Sequence, residues 1–120
     1  MYKRQAAEAT LHQRRGGWKR HIGLVTILIH PEFRGRGIGR FLASELLEIG
    51  RHCGLTKLES ELPGDMAASI RTLWEAGFEE LVRIPEYVTD MHAQTHDYVL
   101  MGRNLHPKIC LLYTSDAADD

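Results

Sequence analysis

A short run of arginines and alternating glycines has the composition of an anion site. The run consists of Arg34, Gly35, Arg36, Gly37, Ile38 and Gly39, followed by Arg40. Glycines let backbone N–H groups converge on an oxyanion without interference from Cβ atoms, and a helix that begins here adds the positive potential of its first amides. Guanidinium groups supply further charge for a phosphate. The run therefore predicts a phosphate-binding turn.

This turn lies between a predicted strand and a predicted helix. Residues 24–29 form an apolar, β-branched run, which predicts a central strand covered on both faces. After Pro31, helical spacing begins, and Gly54 predicts its end. The predicted apolar stripe of the helix contains Ile38, Leu42, Leu46, Ile49 and Cys53. A strand, a glycine turn and a helix in this order would hold a phosphate at the helix N-terminus.

The spacing of the glycines distinguishes between the classes of phosphate-binding turn that lie between a strand and a helix. A dinucleotide fingerprint needs a third glycine where Arg40 stands, so that interpretation is weak. A nucleotide P-loop needs glycine followed by lysine and serine or threonine, and the sequence contains no such triplet. The pattern that remains is Arg34, Gly37 and Gly39 after a strand and before a long helix. It resembles the acyl-CoA pyrophosphate loop of the GNAT family of N-acetyltransferases.

The resemblance extends over residues 6–105, which are similar to the second half of that fold. Four further strands are predicted, at 8–12 before a Gly16-Gly17 hairpin turn, and at 58–62, 79–84 and 96–101. A second helix is predicted at 67–76, with Asp65 as its cap and a Gly77-Phe78 pair, typical of the family, at its end. Its shared apolar face would contain Met66, Ile70, Leu73 and Trp74. The predicted fold is α/β, the C-terminal portion of the GNAT acyltransferase fold, with a mixed sheet and the order β-β-α-β-α-β-β.

The two ends of the chain are similar to translated sequencing-adapter sequence. Residues 1–5 match a transposase mosaic end, and residues 110–120 match the same element in the opposite orientation, running into its adapter. We therefore treat residues 6–109 as a partial GNAT domain that lacks its N-terminal part, and both ends as non-native. The protein from which this segment derives is called the parent protein below.

Charge within residues 6–109 is balanced. Removing two basic and three acidic residues at the ends from the 15 and 16 of the whole chain leaves 13 of each. We therefore expect no nucleic-acid partner, and without a run of roughly 18 apolar residues we expect no membrane span. Cys53 is the only cysteine in the segment and is expected to pack on the apolar face of its helix. A cytoplasmic location is expected, and the oligomeric state is left open.

The resemblance implies acetyl-CoA as co-substrate, an amine as acceptor, and no metal. Backbone groups of Thr26, Ile27 and Leu28 would contact the pantetheine arm and polarise the acetyl carbonyl, and the turn from Arg34 to Arg40 would hold the pyrophosphate. The amine would attack the thioester directly, which requires a base for its proton and an acid for the departing thiolate. His92 and His96 lie four residues apart, but the sequence around them does not predict a convincing helix, so a metal pair is not expected there.

The catalytic acid and base are left unassigned. The tyrosine that the family often places on the second helix corresponds to Leu73, and an asparagine that often contacts the cofactor corresponds to Met66. Three base candidates on the predicted hairpin are Glu8, His12 and His21, each of which is also explained as a surface group. The alternation around Glu59 and Glu61 predicts a solvated strand face.

Two functions follow for the parent protein. The first is an N-acetyltransferase that transfers an acetyl group from acetyl-CoA to an amine by direct attack. The second is a noncatalytic acyl-CoA-binding or regulatory module, suggested by the residues at positions 66 and 73. The residues that identify the donor do not specify the acceptor.

Overall fold

The computed structural model describes residues 7–13 and 16–106. These residues form five strands, two α-helices and one short 3-10 helix. In chain order they are β1 (Ala7–Gln13), β2 (Ile22–Ile29), the 3-10 helix (Pro31–Phe33), α1 (Ile38–His52), β3 (Lys57–Pro63), α2 (Ala67–Glu75), β4 (Glu79–Thr89) and β5 (Thr95–Asn104). Residues 1–6, 14–15 and 107–120, which include both adapter-like ends, lie outside the described residues.

The strands form one mixed sheet in the order β1-β2-β3-β5-β4. β2 and β3 are parallel, and every other neighbouring pair is antiparallel. The predicted α/β class with a mixed sheet is confirmed. β2 lies inside the sheet, between β1 and β3, as predicted for a central strand.

Both α-helices pack against the same face of the sheet. The core combines side chains of three strands and of the two helices with Leu55, Phe78 and Leu105. Its members from the strands and helices are Val25, Leu46, Leu47, Leu58, Leu73, Val99 and Met101. On the other face of β2, Thr26 is exposed and Leu28 is 48% exposed. The prediction that β2 is covered on both faces is therefore wrong, since the two described helices cover one face.

The buried stripe of α1 differs from the predicted one. Its buried residues are Gly39, Ala43, Leu46, Leu47 and Gly50, whereas Ile49 is 46% exposed. Cys53 is exposed and is the C-cap, so the prediction that it packs in the core is wrong. Small residues let the helix axis lie close to the sheet, and a pattern search that counts large apolar residues misses them. Gly54, at φ +78°, ends the helix as predicted.

The second helix is also shifted from its predicted face and cap. Leu73 is buried, but Trp74 is 67% exposed and does not share the core face. Met66 is the N-cap and makes no side-chain capping hydrogen bond, so the prediction of Asp65 as the cap is wrong. Gly77, at φ +96°, follows the helix, and Phe78 is buried behind it, as predicted.

Among the described residues, neither helix combines the length and hydropathy that a membrane-spanning segment requires. The longer of the two, α1, contains 15 residues.

Candidate active site

The glycine-rich turn leaves the N-terminus of α1 open for an anion. Gly35 and Gly37 have φ angles of +81° and +79°, a left-handed conformation that glycine adopts without strain. A Cβ at either position would meet no heavy atom within 4 Å, so the space in front of the turn is open. Gly37 is the N-cap of α1 and provides no side-chain cap, which leaves the first amides of the helix for a ligand.

Gly39 serves a different purpose from the other two glycines. It is buried, and a Cβ at this position would lie 2.7 Å from Ile29 Cδ1 and 2.8 Å from Thr72 Cγ2. The glycine therefore lets α1 approach both β2 and α2 closely. Its role in the turn is to set the position of the helix N-terminus, which the spacing of the motif did not indicate.

The sheet opens beside this turn. Parallel pairing of β2 with β3 includes Ile22, Gly23 and Leu24 of β2 and ends with Leu24 opposite Glu59. One residue further, Ser60 Oγ donates a 2.9 Å hydrogen bond to the carbonyl oxygen of Val25. Beyond this point, the β3-facing side of residues 26–28 borders a gap, where backbone groups can bind a ligand.

A cavity of about 810 Å³ connects the gap to the turn. It includes nine of the ten residues predicted to bind the cofactor, namely Thr26, Ile27, Leu28, Arg34, Gly35, Gly37, Ile38, Gly39 and Arg40. The guanidinium of the tenth, Arg36, lies over the Phe33 ring, 5.2 Å from its centroid. A cavity that joins a strand gap to an arginine- and glycine-lined turn fits a thioester whose far end carries phosphates.

Helix α2 and strand β3 add residues that the sequence did not identify. Arg71 lines the cavity, and Arg40 Nη2 lies 3.7 Å from Glu75 Oε1 across it. Ser60 and Glu61 line it from β3. Apart from Arg40, these residues lie outside the motif, and the signal that could have found them is that α2 follows β3 closely and must lie beside the same opening.

The two glutamates of β3 do not form a uniform solvated face. Glu59 is only 8% exposed, and its Oε1 lies 3.8 Å from Lys19 Nζ, so that prediction is wrong for Glu59. Glu61 is exposed, and its Oε2 accepts a 3.1 Å hydrogen bond from Tyr98 Oη. Burial, and then Glu61, raise the pKa of Tyr98 above its ordinary value. Tyr98 is therefore protonated at neutral pH.

The three candidate bases and the residue at the expected position of the acid differ in their exposure to solvent. Glu8, His12 and His21 are all exposed. Leu73 is 3% exposed in the core and lines the cavity, where its hydrocarbon side chain offers no proton. Met66 lines the cavity at the start of α2.

His96 belongs to a separate cluster next to α2. Its Nε2 lies 2.7 Å from Asp90 Oδ2, and its Nδ1 lies 3.6 Å from Asp65 Oδ1. The hydrogen bond with Asp90 raises the pKa of His96 and lowers the pKa of Asp90. Within residues 7–13 and 16–106, no group of three or more His, Cys, Asp or Glu side chains is arranged to hold a metal ion.

The chain forms an α/β domain whose sheet opens between two parallel strands, next to a glycine-rich turn at a helix N-terminus. The model of the acetyltransferase (GNAT) family matches residues 6–78, which is more than half of the chain. The chain therefore belongs to this family, and the family predicted from the turn is confirmed.

Relatives of known sequence and structure are similar over part of their length. An L-methionine sulfoximine/L-methionine sulfone acetyltransferase of Salmonella typhimurium is 33% identical over 61 residues, which cover 51% of this chain and 36% of that protein. The L-amino acid N-acyltransferase MnaT of Escherichia coli is 28% identical over 79 residues, 62% of this chain and 46% of that protein. This chain thus spans less than half the length of both curated relatives.

A solved structure gives the same comparison in three dimensions. The crystal structure of a GNAT superfamily phosphinothricin acetyltransferase from Sinorhizobium meliloti, in complex with acetyl-CoA, superimposes with a TM-score of 0.74 at 26% identity. The match covers 83% of this chain and 54% of that one. In that structure the Sinorhizobium protein is bound to acetyl-CoA.

Proposed function

We propose that the parent protein is an N-acetyltransferase that transfers an acetyl group from acetyl-CoA to an amine. The observation that carries this proposal is the single cavity that joins the β2–β3 gap to the open N-terminus of α1. A thioester in the gap and a pyrophosphate at the turn would occupy its two ends. Family membership supports the same reaction.

The residues that line the cavity suggest which groups would bind each part of acetyl-CoA. Backbone groups of Thr26, Ile27 and Leu28 would bind the pantetheine arm, because the β3 side of this stretch borders the gap. The amides of Ile38, Gly39 and Arg40 would receive the pyrophosphate, with Gly35 and Gly37 leaving room for it. Arg34 and Arg36 would add charge at its rim. Acetyl-CoA supplies the activated acetyl group when bound.

The residues of the chain contribute positioning and electrostatics. Ser60 holds the carbonyl of Val25 at the start of the gap, so the backbone that follows keeps a fixed course. Amide N–H groups of β2 that face the gap would polarise the acetyl carbonyl and stabilise the charge that develops on its oxygen. The partly buried side chain of Leu62 and the buried side chain of Leu73 would form an apolar wall there and exclude water.

The acceptor is proposed to be a small primary amine. The Salmonella and Escherichia coli relatives are named for L-methionine sulfone and for L-amino acids, which are amines of this size. An L-amino acid is therefore the first acceptor class to examine. The cytoplasmic location remains a prediction from the resemblance.

We also propose that residues 6–109 are the C-terminal portion of a longer GNAT domain, with residues 1–5 and 110–120 derived from adapter sequence. The match to 54% of the Sinorhizobium chain supports the first part. The open face of β2 supports it as well, because Leu28 is an apolar side chain that further elements of the domain would cover.

The experiment combines acetyl-CoA with a panel of L-amino acids and other primary amines and measures thiol release together with the mass of the acetylated product. Turnover of at least one amine, with equal yields of CoA and acetyl-amine, supports the proposal. Tight CoA binding without turnover of any amine would overturn it and favour the noncatalytic acyl-CoA-binding module.

A further inference from the structure

Glu61 and Tyr98 form a pair on the face of the sheet that α1 and α2 do not cover. In the β3–β5 register, Glu61 lies opposite Leu100 and Pro63 lies opposite Tyr98, so the two side chains are diagonal neighbours. The Tyr98 phenol donates its 3.1 Å hydrogen bond to Glu61 Oε2. This bond fixes one carboxylate oxygen and leaves acceptor capacity on the group for a second donor.

A second aromatic ring backs this pair. The ring centroids of Tyr87 and Tyr98 lie 5.7 Å apart at an interplanar angle of 61°, an edge-to-face contact. Tyr87 is on β4, where the register with β5 shifts between Ile84 and Val88. Such a bulge redirects side chains, and here it brings the Tyr87 ring to Tyr98.

The bulge is itself held by specific contacts. Glu86 has a φ of +51°, which is uncommon for a residue other than glycine. Its backbone N–H donates a 3.2 Å hydrogen bond to Asp97 Oδ1, and Arg83 Nη1 donates a 2.9 Å bond to Asp97 Oδ2. A strained backbone that side chains keep in place is a feature to be explained, and its effect is to place Tyr87.

Glu61 lies at the cavity of the candidate active site. It lines the cavity together with Ser60 and Leu62, and the alternation of side chains along β3 places Ser60 and Leu62 on the opposite face from Glu61. Residues of both faces thus border the cavity, so an amine bound at Glu61 would lie at its edge.

We propose that Glu61, positioned by Tyr98 and flanked by Tyr87, is the site for the ammonium group of the acceptor, and that Glu61 takes its proton. This inference rests on the proposed acetyl transfer. A carboxylate next to aromatic rings attracts a cationic amine by charge and by cation–π contact. Tyr98 is a positioning residue, and Glu61 is the catalytic one.

The proton steps balance. An amine that arrives as R–NH3+ gives one proton to the Glu61 carboxylate, and its freed lone pair forms the C–N bond to the acetyl carbon. The C–S bond breaks with its electrons on sulfur, and a second proton from nitrogen goes to that thiolate. Glu61 then releases its proton to water, so one amide, one thiol and one proton are formed.

The test compares Glu61→Gln and Tyr98→Phe in the parent protein, with Glu45→Gln on the exposed surface of α1 as the matched control. Benzylamine and L-methionine sulfone are the probes. Glu61→Gln should lower kcat/KM for the amine by about 100-fold or more, with the KM for acetyl-CoA changed less than about twofold. Glu45→Gln should match the unmodified protein.

Tyr98→Phe separates positioning from mere packing. It keeps the ring contact with Tyr87 and removes the hydrogen bond that fixes Glu61 Oε2, so kcat/KM for the amine should fall by about tenfold while the KM for acetyl-CoA changes less than about twofold. Equal losses for the amine and for acetyl-CoA would refute the positioning role.

A binding measurement decides the site without reference to turnover. Calorimetric titration of benzylamine into the CoA-bound protein should show about tenfold weaker binding for Glu61→Gln than for Glu45→Gln. Equal affinities of the two variants would overturn the inference, whether or not the protein is active. If the unmodified protein binds CoA but acetylates no amine, the proposed function fails, and this titration still decides whether the amine site exists.

Discussion

The Ser60 hydroxyl donates a 2.9 Å hydrogen bond to the Val25 carbonyl oxygen at the point where β2 and β3 separate. Ser60 is 3% exposed and Val25 is 1% exposed, so the bond lies in the core. One side-chain contact thus takes the place of the next ladder hydrogen bond. Past it the two parallel strands can diverge without leaving this buried carbonyl unpaired.

Ser60→Ala should therefore lower the free energy of unfolding by about 1–3 kcal/mol, because the Val25 carbonyl loses a buried hydrogen-bond donor. Chemical denaturation of the parent protein measures the change. Ser44→Ala, on the exposed side of α1, is the control and should change stability by less than about 0.5 kcal/mol. If the two substitutions had equal effects, the hydrogen bond would have no structural role.

Gly39→Ala should destabilise the protein by about 1–3 kcal/mol, because the added methyl group would meet Thr72 Cγ2 at 2.8 Å. Thr72 is β-branched and cannot easily turn this methyl away. The double variant Gly39→Ala/Thr72→Ser removes that methyl and keeps the hydroxyl that bonds to Ala68, so it should recover part of the loss. Additive effects in this double-mutant cycle would argue against the contact.

The His96–Asp90 hydrogen bond should make stability depend on pH. It raises the pKa of His96 above 6.5 and lowers that of Asp90 below 3.8. The bond contributes fully to the free energy of unfolding between pH 3.8 and pH 6.5, the ordinary pKa values of the two groups. This contribution is lost as pH rises through the raised pKa of His96. It is also lost as pH drops through the lowered pKa of Asp90. His96→Gln should therefore lower Tm more at about pH 5.5 than at about pH 8.5.

The control for this pH dependence is His92→Gln in the same hairpin, where the side chain is exposed. Its Tm difference from the unmodified protein should be nearly the same at both pH values. Asp65 and Asp97 also raise the pKa of His96 by their charge, so the effect should weaken at high salt. A larger effect of His96→Gln at the higher pH would contradict the assignment.

The sequence predicted those features that depend on neighbouring residues in the chain, such as the glycines at the ends of helices. Gly37, Gly54 and Gly77 all adopt positive φ at helix ends, and such positions can be read from residue type alone. The apolar run of β2 likewise predicted its place inside the sheet. Its burial could not be predicted in the same way, because whether Leu28 is covered depends on elements elsewhere in the domain.

The residues of the site that escaped prediction depend on contacts across the fold. Ser60 acts on a residue 35 positions earlier in the chain, and Tyr98 reaches Glu61 across 37 positions. No periodicity encodes such pairs. Gly39 was identified by its motif, but its close approach to Thr72 appears only when α1 and α2 are packed together. Motif spacing predicted where the candidate site lies, and the packing of the fold determines which other side chains line it.

Two variants that differ by one charge should show whether the pyrophosphate of CoA lies at the glycine-rich turn. Gly35 lies in open space at φ +81°, a conformation that Asp and Asn both tolerate better than most residues. Gly35→Asp should raise the Kd for CoA at least about tenfold by repelling the pyrophosphate, whereas Gly35→Asn should change it less than about threefold. If calorimetry gave the same Kd for both variants, the pyrophosphate would not lie at this turn, and the proposed acetyl-CoA site would be wrong.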